Sequence, residues 1–245
     1  MEVYAGCVTD RGNYREKNQD RAVCHVRQNG HSVLAAACVC DGIGSFAHSE
    51  TAAEMVTKGI TRWFEGVKDL FPEVMDADML REDLEMTIRE LNELVYTYRN
   101  EQDPQVGCTM SVMLLTNADY QLFHVGDSRI CRVNGGLWPM TRDEVSMAEV
   151  NGRVKPLLAN FIGKSDTLWV NKLSGTVEEN DRFLLGSDGL FKKLTYEDVE
   201  EETGKIRSGR QAQKACERLL KRVMDRDEKD NISCILICVQ SVTED

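Results

Sequence analysis

The chain has 245 residues, 42% of them hydrophobic and 29% charged, with only 18 Gly and 4 Pro. That composition describes a soluble globular protein and excludes collagen-like, low-complexity and wholly disordered chains. Thirty Lys and Arg against 41 Asp and Glu leave a formal net charge of −11, so neither nucleic acid nor an anionic membrane surface is expected as a partner.

The start, MEVYAGCVTDRGN, lacks a basic segment followed by an apolar core, and no signal peptide is expected. Strands are predicted over residues 3–9, 21–26 and 32–40. Within the third, VLAAACVC is apolar on both faces and is the longest apolar run. It suits a strand buried between layers and is far short of the ~20 residues a membrane-spanning helix needs. A helix follows over 49–64, with Ala52, Met55, Val56, Ile60 and Phe64 on one stripe. A second is marked by Leu80, Leu84, Ile88, Leu91, Leu94, Val95 and Tyr98, recurring at the spacings of one helical face.

Central strands are expected over 109–116, 121–125 and 130–133. Residues 140–166 carry no strong period and read as a surface flap. Strands return at 168–173 and 182–186. A short helix should begin after Thr195, whose hydroxyl caps it, with Asp198 as a near-match to a capping box. A longer helix, capped by Ser208, carries Ala212, Ala215, Cys216, Leu219, Leu220, Val223 and Met224. A last strand, 232–239, is again apolar on both faces. No repeat or linker divides the chain, so one domain over 1–245 is expected, an α+β architecture of sheets covered by helices.

Nine cysteines, with no Cys-x-x-Cys pair, resemble neither a disulfide framework nor a zinc site. Cys38, Cys40, Cys234 and Cys238 fall inside apolar runs and read as small buried hydrophobes. Reduced thiols in that number point to the cytoplasm. His25, His31, His48 and His124 are scattered and pair with no nucleophile, and the run 198–203 reads as a solvated helix face.

The informative pattern is where the aspartates fall. Asp41 and Asp188 each end an apolar strand and precede glycine; Asp127 follows FHVG; Asp20 and Asp230 sit just before strands. A single Asp-Gly is usually a hairpin turn. Two of them, each between a small residue and an aliphatic one, are less easily explained that way, and turn chemistry does not account for Asp127 or Asp230. Strand ends are rigid and hold ligand atoms well. Oxygen donors of this kind suit Mg²⁺ or Mn²⁺, and two such ions about 3.5–4 Å apart make a phosphoryl-transfer site that generates hydroxide near neutral pH.

The ordered motifs T-D-R-G-x-x-R-x-x-N-Q-D (9–20), C-D-G-I-G (40–44), G-C-T (107–109), V-G-D-S-R (125–129), S-D-G-L (187–190) and D-N-I-S (230–233) resemble the protein phosphatase 2C family, metal-dependent serine/threonine phosphatases, in its compact bacterial form. The resemblance spans residues 3–240. It implies a four-layer α-β-β-α sandwich, two packed antiparallel sheets flanked by antiparallel helix pairs. It implies two Mn²⁺ or Mg²⁺ ions and a weaker third. Asp41 would bridge the pair, the Gly42 carbonyl would bind the second ion, and Asp188 and Asp230 would bind the first. Asp20 would hold metal-bound water, Asp127 would serve the third ion, and Arg15 would grip the substrate phosphate. The implied partners are phosphoproteins and an opposing serine/threonine kinase, with the enzyme a monomer.

Three departures stand out. Gln19 replaces the family's usual metal-ligand glutamate, Gly44-Ser45 replaces Gly-Gly, and Asp143-Glu144-Val145 replaces Asp-His-Ser. The first predicts a weakened second-ion site. It also opens an alternative to an active protein phosphatase, a weakly active or inactive regulatory binding module; a metal-dependent hydrolase of small phosphate esters is a third reading, independent of Gln19.

Overall fold

Two five-stranded antiparallel sheets form the centre of the structure, a computed structural model that describes residues 1–30, 32–44, 46–150 and 153–240. The elements in order are β1 (Glu2–Asp10), β2 (Arg21–Gln28), β3 (Val33–Cys40), α1 (Ser49–Val67), α2 (Ala77–Glu101), β4 (Met110–Leu115), β5 (Asp119–Val125), β6 (Arg129–Val133), β7 (Leu137–Pro139), β8 (Val145–Val150) and β9 (Arg153–Leu158). After them come β10 (Asn171–Thr176), β11 (Arg182–Gly186), α3 (Asp188–Phe191), α4 (Tyr196–Thr203), α5 (Gly209–Asp225) and β12 (Ile232–Gln240). One sheet runs β1-β12-β11-β6-β7 and the other β10-β5-β4-β3-β2.

The doubly apolar strands explain the layering. On β3, Val33, Ala35, Ala37 and Val39 face the other sheet, where Phe183, Leu185, Ile235 and Ile237 meet them. The alternate residues Leu34, Ala36, Cys38 and Cys40 face α1 and α2, against Ala52, Val56, Ile60, Leu84 and Ile88. β12 does the same on its side: Cys234, Leu236 and Cys238 pack under α5, against Ala212, Ala215, Cys216 and Leu219. A strand in the middle of such a stack has no solvent face, so the period-two alternation disappears from its sequence. The four cysteines read as buried hydrophobes are buried.

Both expected caps form. Ser208 accepts from the Gln211 N–H, and Thr195 and Asp198 close a reciprocal capping box.

The second helix pair is unequal, as expected: α5 has 17 residues and α4 only eight. Three expectations need correction. The strand expected at 168–173 is Asn171–Thr176; it is an edge strand, exposed along most of its length, and carries no apolar alternation to mark it. The patternless flap contains its own hairpin, β8 paired with β9, whose Val145, Met147, Val154 and Leu157 are exposed. The 198–203 run is not a solvated face throughout: Asp198 is 4% exposed, bonded to Arg226 (Nη2, 2.6 Å) and Arg222 (Nη1, 3.3 Å). Of the positions singled out in the sequence, His31 and Ser45 lie outside the described residues.

Among the described residues no helix is long and apolar enough to cross a membrane.

Candidate active site

The strand-end aspartates meet at one end of the sandwich, because the two sheets bring the ends of β3, β11 and β12 together there. Neither Asp-Gly is a hairpin. Asp188-Gly189 opens α3 straight out of β11. A Cβ on Gly189 would collide with the Asn231 carbonyl oxygen and lie 3.3 Å from the Asp230 Cβ. Glycine is therefore what lets α3 close against the turn before β12. Asp41-Gly42 leads instead into a bridge between Gly42 and Cys108. The backbone of Asp41 is held twice by Thr109: its N–H donates to Oγ1 (2.9 Å), and its carbonyl accepts the Thr109 N–H (2.8 Å).

Asp20 is fully buried. The Ser233 hydroxyl donates to its Oδ2 (2.9 Å), while its Oδ1 has no hydrogen-bond partner. An isolated carboxylate oxygen in such a place is costly, and burial pushes the Asp20 carboxyl up to about 6, with Asp188 adding to the rise. Burial likewise pushes Asp127 up to about 6, with Asp188 and Asp143 adding to it. Asp41 is raised well above the ordinary carboxylate range, first by burial and then by the negative charges of Asp20, Asp188, Asp127 and Asp230. A carboxylate that senses four others is the electrostatic signature of a site built for cations.

Two protein cations reach this cluster. Arg15 Nη2 lies 2.8 Å from Asp230 Oδ1, and its guanidinium approaches Gly44. Lys192 Nζ lies 2.6 Å from Asp188 Oδ2 and 3.3 Å from Asp230 Oδ2, so these two carboxylates face a common point. Burial opposes the Lys192 charge, but its bonds to Asp188 and Asp230 outweigh that and hold its ammonium above the ordinary range. Among the described residues, no three carboxylate, imidazole or thiol groups are arranged so that together they could hold a metal ion. The donor chemistry nevertheless fits a hard divalent ion: all-oxygen, strongly acidic, and with the buried Asp20 Oδ1 unpartnered.

Gln19 contributes no charge. Its Nε2 donates to the Phe46 carbonyl (2.8 Å), which binds the N-terminal loop to the segment after Asp41. Nearby, Glu50 pairs with Lys17 (3.0 Å).

Several residues that hold the site were assigned no role from sequence. Asn231 Oδ1 accepts the Gln19 N–H (3.0 Å), and its Nδ2 donates to the carbonyls of Arg11 and Lys17 (both 2.9 Å). One buried amide thus pins the loop that carries Arg15 and Asp20. Asn18 Oδ1 accepts the Asp20 N–H (3.1 Å). Glu144 anchors the flap to the Asp127 turn: its Oε2 accepts from the Gly126 N–H (2.8 Å) and Asn160 (3.0 Å), and its Oε1 from Asn171 (2.5 Å). Gly126 has φ +107°, a conformation glycine adopts without strain. Arg129 grips Asp143 through two bonds (2.8 and 2.6 Å). So Asp143 and Glu144, which depart from the family pattern, still tie down the start of the flap. Asn231, Asn18 and Gly126 lie inside the quoted motif strings, which was the available signal; Glu144 and Lys192 lie outside them. His124 is buried with its Nδ1 hydrogen-bonded to the Ser111 hydroxyl (2.9 Å) and its Nε2 to the Arg142 carbonyl (3.1 Å), and burial lowers its pKa.

A sequence model of the family described as protein phosphatase 2C matches residues 13–236. Protein phosphatase PhpP of Streptococcus pneumoniae is 24% identical over 213 residues, covering 81% of this chain and 82% of that protein. The structure superposes on a bacterial serine phosphatase with a TM-score of 0.80 at 20% identity, covering 99% of this chain and all of that one. It also superposes on the catalytic domain of the serine/threonine protein phosphatase PstP, solved in complex with two manganese ions, with a TM-score of 0.74 at 22% identity and coverage of 98% and 99%. These likenesses establish the fold, and the match over most of its length shows that this chain belongs to the protein phosphatase 2C family.

Proposed function

We propose that this chain is one catalytic domain that hydrolyses phosphoserine and phosphothreonine in proteins, using two Mn²⁺ or Mg²⁺ ions and a weaker third. The observation that supports this reading is the gathering of acidic strand ends at one end of the sandwich, where Lys192 spans Asp188 and Asp230 and where burial, with the charges of Asp20, Asp188, Asp127 and Asp230, raises Asp41. Divalent ions there supply Lewis acidity that makes water a nucleophile near neutral pH. The chain's residues do the rest. Asp41 and the Gly42 carbonyl, Asp188 and Asp230 hold the ions; Asp20 orients water; Asp127 serves the third ion. Arg15 stands at the rim on an exposed loop, where its planar fork can turn to two phosphate oxygens at once.

The loss of charge at Gln19 and the use of its amide by Phe46 support a weak second-ion site. Calorimetric titration with Mn²⁺ should resolve one tight and one weaker class, and two equally tight sites would contradict this. Phosphoprotein substrates, an opposing kinase, a monomeric state and a cytoplasmic location, the last in keeping with nine free cysteines, complete the proposal. The test is phosphate release from a phosphothreonine peptide with and without Mn²⁺. Activity should need the ion and vanish in Asp41→Asn and Asp188→Asn; metal-independent release would sink the reading.

A further inference from the structure

Of the two side-chain cations that reach the site, Lys192 belongs to no motif. Lys192 is the residue after α3, four positions beyond Asp188, and its backbone N–H bonds the Asp188 carbonyl (3.2 Å). Its Cα is therefore fixed beside the cluster. Its side chain, 44% exposed, crosses the mouth to touch Asp188 Oδ2 at 2.6 Å and Asp230 Oδ2 at 3.3 Å. Arg15 takes the other Asp230 oxygen. The two carboxylates assigned to the first ion thus already share a cation supplied by the chain, while the more buried Asp20 and Asp41 have none.

We propose that Lys192 is a tethered counter-ion of this site, which holds Asp188 and Asp230 in the ion-free protein and must be displaced before a divalent ion can use them. This rests on the metal reading above and adds to it a named competitor that sets the ion requirement. An ammonium and a divalent ion need the same lone pairs, and two cations cannot occupy one position. The rigid backbone anchor keeps Lys192 at high local concentration, while its four-carbon stem and solvent access give it somewhere to go. Displacement costs the ion the pairing that Lys192 loses, so binding is weaker than the acidity of the cluster alone would give.

The test uses the full chain, stripped with a chelator and titrated calorimetrically with Mn²⁺. Lys192→Ala should bind the tight-class ion about tenfold more strongly, the size of a partly exposed pair doubly engaged, and its ion-free form should melt at lower temperature. Lys193→Ala, which removes the neighbouring exposed charge, should leave both quantities near wild type, and Lys192→Arg should keep the weaker binding. In wild type labelled at the lysine Cε, saturating diamagnetic Mg²⁺ should move the Lys192 resonance, assigned by its absence from Lys192→Ala. If wild type binds the ion and Lys192→Ala binds it no better, or the resonance stays put as Mg²⁺ binds, the counter-ion is refuted and the metal reading survives. If neither protein binds Mn²⁺, both fall together.

Discussion

Two groups of acidic side chains occupy the same fold and are treated in opposite ways. At the sheet end, burial and mutual repulsion raise Asp41, Asp20 and Asp127. At the α4–α5 contact, Asp198 is held well below the ordinary carboxylate range, first by its hydrogen bonds to Arg226. Arg222 adds bonds to Asp198 and to Glu202 (Nη2, 2.8 Å), and Arg218 also pairs with Glu202. The difference shows what each region is for. A buried carboxylate that is fully paired is architecture, whereas a group of them with few protein cations nearby is an environment that favours binding cations.

The largest contrast should come from deleting one charge in each place. Asp188→Asn should lower phosphatase activity by about 10³-fold or more, on the order of 4 kcal/mol of transition-state stabilisation, with the fold intact by circular dichroism. Asp198→Ala should do the reverse. Loss of a buried, bidentately held carboxylate that also caps α4 should cost on the order of 2–3 kcal/mol, discounted because both arginines keep contact with water. Activity per folded molecule should be unchanged. Denaturant unfolding alongside specific activity checks both, and a catalytic defect in Asp198→Ala would erase the distinction.

The pH dependence sharpens the same comparison. A depressed carboxyl contributes stability above its unfolded value of about 4, and that contribution fades as pH falls below this value toward the folded one. The stability gap between wild type and Asp198→Ala should therefore be constant near neutrality and narrow below about pH 4. A gap that widens on acidification would reverse the assignment.

A smaller effect of opposite sign is expected at Asp41. Its raised pKa means that folding without ions is opposed by this group at neutral pH. Asp41→Asn should stabilise the chelator-treated protein by on the order of 1 kcal/mol, roughly 2–4 °C for a chain of this size, while removing activity. A lower melting temperature would show that Asp41 is architectural after all. Least of all should be Glu144→Gln, which keeps the size of the anchor but weakens its charge-assisted bonds. About 0.5 kcal/mol of stability and a severalfold faster amide exchange at 126 and 158–160, beside the anchor, are expected, with activity within about threefold of wild type.

The residues by themselves single out Asp20, Asp41, Asp127, Asp188 and Asp230, because acidic side chains recur at the ends of apolar strands, whereas Arg15 and Gly42 are implied only by the family resemblance of the motif strings. The paired-sheet core was equally legible in VLAAACVC and ISCILICV, and the long helices in their apolar stripes. Less legible were features that carry no local signal. The edge strand β10 is exposed, the flap hairpin β8–β9 has a mixed pattern, and Asp198 sits in a run that looks solvated until Arg222 of α5 and Arg226 just after it arrive from 24 and 28 positions away.

What the amino-acid order determined by itself, then, is the set of layers and the list of acidic side chains, since both follow from spacing along the chain. Whether those side chains face one another, and which cation answers them, was decided only when β11 and β12 paired and Gly189 let α3 close on Asp230. Electrostatic partners are chosen by distance through space, and the reach of Lys192 to both Asp188 and Asp230 exists nowhere but in the folded arrangement.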